Sequence, residues 1–107
     1  MSTFVTAEIG TNWNGDAFKL RRMVHECKEA GVDAVKFQVL TEELIARHPE
    51  LSWYQSASVN VFTLPEIVDT CWRENIQWYA SVFDEGGVDL IKKHVDMIKI
   101  RDRKSVV

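Results

Sequence analysis

Apolar and polar residues alternate near the start of the chain, and this alternation predicts a first strand. Val5, Ala7 and Ile9 are apolar, whereas Thr6 and Glu8 between them are polar. A period of two is typical of a β-strand with one apolar face. The strand therefore presents the Glu8 carboxylate on its polar face.

The next pattern predicts a polar turn over residues 10–15 and a helix from Asp16 to about Ala30. Asn14 or Asp16 suits the N-cap, because its side chain accepts hydrogen bonds from free backbone N–H groups. Gly31 suits the left-handed residue that ends a helix. The apolar stripe of this helix, at intervals of three and four, consists of Leu20, Met23, Val24 and Cys27.

The same order of strand, polar loop and helix recurs along the chain. Further strands are predicted over residues 32–39, 76–83 and 96–100. Further helices are predicted over residues 63–75 and 84–94, with a short one between Thr41 and Pro49. Thr63 and Glu66 have the spacing of a capping box. Residues 48–61 are irregular and are predicted to form a long functional loop or an elaborated helical hairpin.

This βαβαβαβ order requires a parallel sheet, either an open doubly wound sheet or a TIM barrel. One parity of the predicted strands is apolar throughout, and the other is largely polar. A doubly wound sheet buries both faces under helices, whereas a barrel turns one face inward. The polar parity consists of Thr6, Glu8, Lys36, Gln38, Tyr79, Ser81 and Lys99. We therefore predict a TIM-barrel-type (β/α) fold, truncated after about four strands, since a full barrel takes about 250 residues.

Composition excludes several classes of protein. The chain has 107 residues, a net charge of −3 and 46% hydrophobic residues, so neither a nucleic-acid partner nor a membrane span is expected. No signal-peptide pattern is visible at the N-terminus, which predicts a cytoplasmic protein. Cys27 and Cys71 lack metal spacing and are predicted to be free thiols that fill the core.

The polar residues of successive strands converge at one end of a barrel and form the candidate site. Lysine is rarely placed inside a fold unless it is paired or holds an anion. Lys36 and Lys99 are two such lysines. Glu8 balances one of them, activates a water or binds a substrate hydroxyl, while Ser81 and Gln38 orient a polar ligand. A purely structural ion pair between Glu8 and Lys36 is the alternative. Two lysines against one acid favour a phosphate or carboxylate site.

Other chemistry finds less support in the sequence. No nucleophilic dyad is visible, and His25, His48 and His94 have the positions of surface or capping residues, without metal spacing. Trp53 and Tyr54, together with Trp13, either line a sugar site or cover the edge of the core. Asp16, Asp84 and Glu85 are explained as residues at helix starts.

Four segments together resemble the N-terminal half of the sialic acid synthase (N-acetylneuraminate synthase) family. They are AEIGTNWNGD, EAGVDAVKFQ, IQWYASVFDEGGVDLI and MIKI, in the family's order and spacing over residues 3–100. The family folds as a TIM barrel. Its members are transferases of carbohydrate biosynthesis that condense phosphoenolpyruvate with an N-acetylated amino sugar, typically N-acetylmannosamine, and release phosphate.

The resemblance implies a role for each matching residue. Glu8 corresponds to the catalytic glutamate, and the substrate-binding residues for phosphoenolpyruvate are Lys36, Lys99 and Gln38, with Ser81 in the place of a threonine. A divalent metal (Mn or Mg) is expected in the full-length enzyme, with ligands outside this chain, and the full-length parent is expected to be a homodimer. The alternatives are a related synthase for pseudaminic acid, legionaminic acid or spore-coat polysaccharide, and a non-catalytic half-barrel that binds a ligand.

The chain departs from the family pattern at three positions. Trp13 replaces a histidine, Val82 replaces the proline of STPFD, and Asp102 falls where a phosphate-binding serine belongs. The last six residues, DRKSVV, are also encoded by a stretch resembling a common sequencing adapter. We therefore interpret residues 1–101 as the N-terminal half of the barrel and residues 102–107 as a non-native tail. The chain alone is expected to be inactive.

Overall fold

The computed structural model describes residues 3–100 and contains four strands that alternate with helices. The strands are β1 (Thr6–Glu8), β2 (Ala34–Gln38), β3 (Gln77–Val82) and β4 (Lys99–Ile100). The helices are α1 (Ala17–Glu29), α2 (Glu42–Arg47), α3 (Leu64–Arg73) and α4 (Glu85–Ile91), with a 3₁₀ segment at Pro49–Ala57. Each strand and each of the longer helices predicted from the sequence is present, with ends shifted by a few residues.

The four strands form one parallel sheet in the order β1-β2-β3-β4. Every strand is thus hydrogen-bonded to its neighbour in sequence. A doubly wound sheet reverses its strand order at a switch point, whereas a barrel adds each strand beside the previous one. The strand order and the alternation of helices are those of part of a TIM barrel, as predicted.

One face of the sheet is buried against the helices and forms the core. Leu20 and Val24 of α1 and Ile67 of α3 are fully buried and belong to one cluster with the apolar strand residues. The strand residues of this cluster are Val35, Phe37, Trp78, Ala80 and Val82. The apolar parity identified in the sequence is therefore the helix-facing side.

Helix α1 begins and ends as its sequence predicts. The Asp16 carboxylate caps it by accepting hydrogen bonds from the backbone N–H groups of Phe18 and Lys19, at 2.9 and 3.3 Å. Gly31 has a φ of +84°, the left-handed conformation that favours glycine after a helix. Of the two predicted cap residues, Asp16 fills the position.

The predicted capping box at the start of α3 is wrong. Thr63 already has a helical conformation, and its hydroxyl donates to the Ser58 carbonyl at 2.6 Å. The Asn60 side chain accepts from the Phe62 and Thr63 N–H groups instead. Glu66 forms a 2.7 Å ion pair with Arg21 of α1 and so does not reach back.

Asp84 joins two of the loops at the carboxyl ends of the strands. Its side chain accepts from the Gly87 N–H at 2.8 Å, which caps α4, and from the Thr41 hydroxyl at 2.6 Å. Thr41 is itself the N-cap of α2 and accepts from the Leu44 N–H. One carboxylate therefore fixes the β2–α2 loop against the β3–α4 loop.

Replacing Asp84 with alanine is expected to lower the free energy of unfolding by about 1–2 kcal/mol, because an N-cap and a second hydrogen bond are lost together. Urea denaturation followed by circular dichroism measures this change. Asp89→Ala is the matched control, since Asp89 is exposed and its side chain bonds, among the described residues, only Lys92 at the end of its own helix. Its expected effect is below about 0.5 kcal/mol. Equal losses in both variants would contradict the capping role.

Within residues 3–100, no helix is long and apolar enough to cross a membrane. The predicted tail at residues 102–107, including Asp102, lies outside the described residues.

Candidate active site

The predicted site residues lie on the sheet face opposite the helix-facing apolar side, in two adjacent rows. In the first row, Glu8 of β1, Lys36 of β2 and Tyr79 of β3 are register partners. In the second row, Gln38, Ser81 and Lys99 are register partners in β2, β3 and β4. Register partners in a parallel sheet point to the same face. The strands therefore bring all five predicted residues together.

Lys36 and Glu8 form an ion pair in the first row. The Lys36 Nζ lies 2.9 Å from the Glu8 Oε1. The Lys36 side chain is only 14% exposed, whereas that of Glu8 is 51% exposed. The Ile9 and Gly10 N–H groups both donate to the Lys36 carbonyl, at 2.9 and 3.0 Å. This fixes the loop after Glu8 against β2.

Ser81 occupies the centre of the second row. Its side chain is fully buried, and its Oγ has no hydrogen-bond partner among the described residues. Leaving a buried hydroxyl without a partner costs about 1–3 kcal/mol. Its backbone is well held, since the Ser81 carbonyl accepts from the Val39 N–H at 2.9 Å. The hydroxyl is thus an unused hydrogen-bonding group at the centre of the second row.

Tyr79 is a residue of this face that the sequence prediction left out of the site. Its hydroxyl donates to the Thr6 Oγ1 at 3.2 Å, which joins β3 to β1 across the first row. The two rows carry two ammonium groups, from Lys36 and Lys99, and one carboxylate, from Glu8. At neutral pH the face has an excess of positive charge, which suits an anion. The alternation of apolar and polar residues in β3 was the only feature of the sequence that placed Tyr79 on this face.

The other reactive residues do not join this face. Cys71 is buried in the core, and burial raises the pKa of its thiol to about 12. Burial, with a smaller contribution from Glu26, also raises the pKa of Cys27. Both cysteines are free, as predicted, and neither is activated as a nucleophile.

The described histidines and acidic residues form no metal cluster. His25 and His94 are exposed, and His48 follows the end of α2. His25 lies 3.0 Å from Glu74, in a contact between α1 and α3. Within the described range 3–100, no three His, Cys, Asp or Glu residues are grouped so as to hold a metal ion.

The three loop aromatics separate into two groups. Trp13 is 2% exposed and belongs to the main core cluster. Trp53 and Tyr54 are exposed, at 87% and 50%, in the 3₁₀ segment. Val82, which stands where the family pattern has a proline, is a buried residue of β3 that pairs with Ile100 of β4.

The sequence model of the NeuB family matches residues 23–105, which is most of the chain. This chain belongs to the NeuB family. It is 29% identical over 120 residues to the N,N'-diacetyllegionaminic acid synthase of Legionella pneumophila, covering 94% of this chain and 33% of that protein. It is 29% identical over 104 residues to the spore coat polysaccharide biosynthesis protein SpsE of Bacillus subtilis, covering 83% of this chain and 27% of SpsE.

A solved structure confirms both the fold and the resemblance to sialic acid synthases. The chain superposes on the N-acetylneuraminic acid synthetase of Leptospira borgpetersenii, in complex with citrate, with a TM-score of 0.78 and 25% identity. The superposition covers 94% of this NeuB-family chain and 36% of that protein. The chain spans about a third of the length of the curated relatives it matches. Its relatives include a legionaminic acid synthase and a sialic acid synthetase, which supports an enzyme as the parent.

Proposed function

We propose that this chain forms the phosphoenolpyruvate-binding part of a synthase that makes a nonulosonic (sialic) acid. The complete enzyme condenses phosphoenolpyruvate with an N-acetylated amino sugar such as N-acetylmannosamine and releases phosphate. The observation that carries the proposal is the buried Ser81 hydroxyl, which has no partner within residues 3–100 and lies in a row with Gln38 and Lys99. The row beside it holds Lys36 paired to Glu8, and the chain belongs to the NeuB family.

The proposed roles follow from the charges of these side chains. The ammonium groups of Lys36 and Lys99 neutralise the carboxylate and phosphate of phosphoenolpyruvate, and the Ser81 hydroxyl donates a hydrogen bond to one of their oxygens. The Gln38 amide orients the same ligand. Such fixed positive groups and donors stabilise negative charge during reaction without reorganisation.

Glu8 is assigned the catalytic position beside the reacting carbons. Its carboxylate is half exposed, so a water or an acceptor hydroxyl has access to it, while one of its oxygens holds Lys36 in place. A carboxylate in this position accepts a proton as a general base. The ion pair therefore supports two functions, namely the positioning of Lys36 and the placement of a base.

The acceptor sugar is proposed only as a class. The names of the relatives divide between legionaminic acid, spore-coat polysaccharide and N-acetylneuraminic acid, so a legionaminic- or spore-coat-type synthase is the second candidate. Homodimeric assembly and a divalent metal (Mn or Mg) belong to the proposal for the complete enzyme. Residues 3–100 hold no cluster that fits a metal.

Replacing Ser81 with alanine tests the proposal, because it should change binding and stability in opposite directions. Phosphoenolpyruvate loses a buried donor, and its affinity for the chain is expected to fall about tenfold. The free protein loses an unsatisfied hydroxyl, so the free energy of unfolding is expected to stay unchanged or to rise by about 1 kcal/mol. Isothermal titration calorimetry and urea denaturation measure the two quantities.

A matched control replaces a buried hydroxyl outside the site. Thr70 of α3 is also buried, and its Oγ1 has no partner among the described residues. Thr70→Val should therefore leave the affinity for phosphoenolpyruvate unchanged. An unchanged affinity in Ser81→Ala would remove the main support for the proposal, as would the absence of any binding to the unaltered chain.

A further inference from the structure

A cleft of about 430 Å³ lies outside the two rows of the candidate active site. One wall is the β1–α1 loop, with Thr11, Asn12 and Asn14, and the other is the 3₁₀ segment, with Trp53, Tyr54 and Ser56. None of the five predicted site residues lines it. The proposed function leaves this cleft unused.

The two walls of the cleft approach each other closely at Gly15 and Ser56. Gly15 has a φ of +74°, and a Cβ at this position would lie 2.8 Å from the Ser56 carbonyl oxygen. Only glycine lets the loop approach the 3₁₀ segment this closely. Asn14 also adopts a left-handed conformation, with a φ of +54°. Trp13, which lies between Asn12 and Asn14 in the sequence, is buried in the core and anchors the β1–α1 loop.

The lining combines exposed aromatic rings with unused hydrogen-bonding groups. Trp53 is 87% exposed, and Tyr54 lies beside it in sequence with half of its surface exposed. Asn12, Asn14 and Ser56 are exposed, and their side chains take part in none of the side-chain hydrogen bonds found within residues 3–100. Amide and hydroxyl groups around an aromatic face define a ligand with an apolar face and a polar edge.

The charge of the cleft selects among such ligands. Its lining contains no aspartate, glutamate, lysine or arginine among the described residues. An anion such as phosphoenolpyruvate gains little there and is attracted instead to Lys36 and Lys99. A neutral sugar ring has C–H groups on its face and hydroxyl groups at its edge, which match Trp53 and the two asparagines.

We propose that this cleft is a second binding site, which holds a neutral pyranose sugar with its face on Trp53. Asn12 and Asn14 hydrogen-bond its hydroxyl or acetamido groups. The site is separate from the phosphoenolpyruvate site, and the proposal does not depend on the function assigned to Lys36 or Ser81.

The chain offers a matched control for this site. Trp72 of α3 is also largely exposed, at 79%, but it lies in an apolar groove with Leu64, Pro65 and Val68. Truncating either tryptophan removes an exposed ring of the same kind. Only Trp53 is accompanied by the two asparagine amides.

The test titrates the chain with N-acetylglucosamine and with glucose, and follows backbone amide shifts by nuclear magnetic resonance. Saturable shifts at Asn12, Asn14 and Trp53 are expected at millimolar sugar. Trp53→Ala is expected to weaken the affinity at least about tenfold, and Trp72→Ala to leave it unchanged. Circular dichroism checks that both variants remain folded.

Several outcomes would overturn the proposal. They are the absence of saturable shifts with either sugar, equal losses in the two tryptophan variants, and sugar binding that is lost in Lys36→Ala but kept in Trp53→Ala. The last result would place the sugar in the active site. Phosphoenolpyruvate titrated into Trp53→Ala should bind as in the unaltered chain, so a failure of the proposed function is recognised separately.

Discussion

Phe37→Ala is expected to lower the free energy of unfolding by about 3–5 kcal/mol. Phe37 is fully buried in β2 and packs edge-on against Trp78 of β3, with ring centroids 6.0 Å apart. Removing the ring leaves a cavity at the centre of the cluster that joins the sheet to the helices. A domain of this size has about 5–15 kcal/mol of stability in total, so the loss is a large fraction of it.

Thermal unfolding followed by circular dichroism measures this loss, and a fall in Tm of at least about 10 °C is expected. Phe37→Leu is the control, because it keeps most of the apolar volume and should cost about 1–2 kcal/mol. The exposed Phe62, at 86% exposure, provides a second control, and Phe62→Ala should change little. If Phe37→Ala were as mild as Phe62→Ala, the assignment of the core to this sheet face would be wrong.

The core and the barrel-type fold were predictable because strand parity is a direct consequence of backbone geometry. Successive side chains of a strand point to opposite faces, so the apolar parity of β2 and β3 had to meet the helices. The same rule placed Glu8, Lys36 and Ser81 on one opposite face. The sequence therefore predicted which residues share this face, without any knowledge of the distances between them.

The details that the sequence missed depend on contacts between distant segments. Thr63 and Glu66 have a capping-box spacing, but Ser58 and Arg21 provide stronger partners for them. The cleft beside Trp53 exists because Gly15 meets Ser56, which lies about 40 residues further along the chain. A local sequence pattern does not predict a contact between residues so far apart in the chain. The roles of the site residues remain predictions, since they depend on a ligand as well as on the fold.

Lys36→Ala is expected to weaken phosphoenolpyruvate binding to this chain by about 10- to 100-fold. The ammonium group is largely shielded from water, at 14% exposure, and lies on a face with Lys99 and the unpaired Ser81 hydroxyl. A charged hydrogen bond to an anion in such a place contributes about 1.5–3 kcal/mol. Titration calorimetry measures the loss. Lys92→Ala, at an exposed lysine directly after α4, should bind phosphoenolpyruvate as the unaltered chain does.

The Glu8→Gln variant distinguishes between two interpretations of this face, namely an anion-binding site and a purely structural ion pair. If the face binds an anion, removing the Glu8 carboxylate removes a repulsive charge, and phosphoenolpyruvate should bind a few times more tightly. If the pair only stabilises the fold, Glu8→Gln and Lys36→Ala should lower stability alike and leave binding unchanged. Glu8 is half exposed, so the carboxylate left uncompensated in Lys36→Ala is solvated, and we expect this variant to lose less than about 1 kcal/mol of stability. In Glu8→Gln the amide oxygen still accepts a hydrogen bond from Lys36, so a small loss is expected there too. Opposite changes in affinity, with little change in stability, would assign the pair to ligand binding.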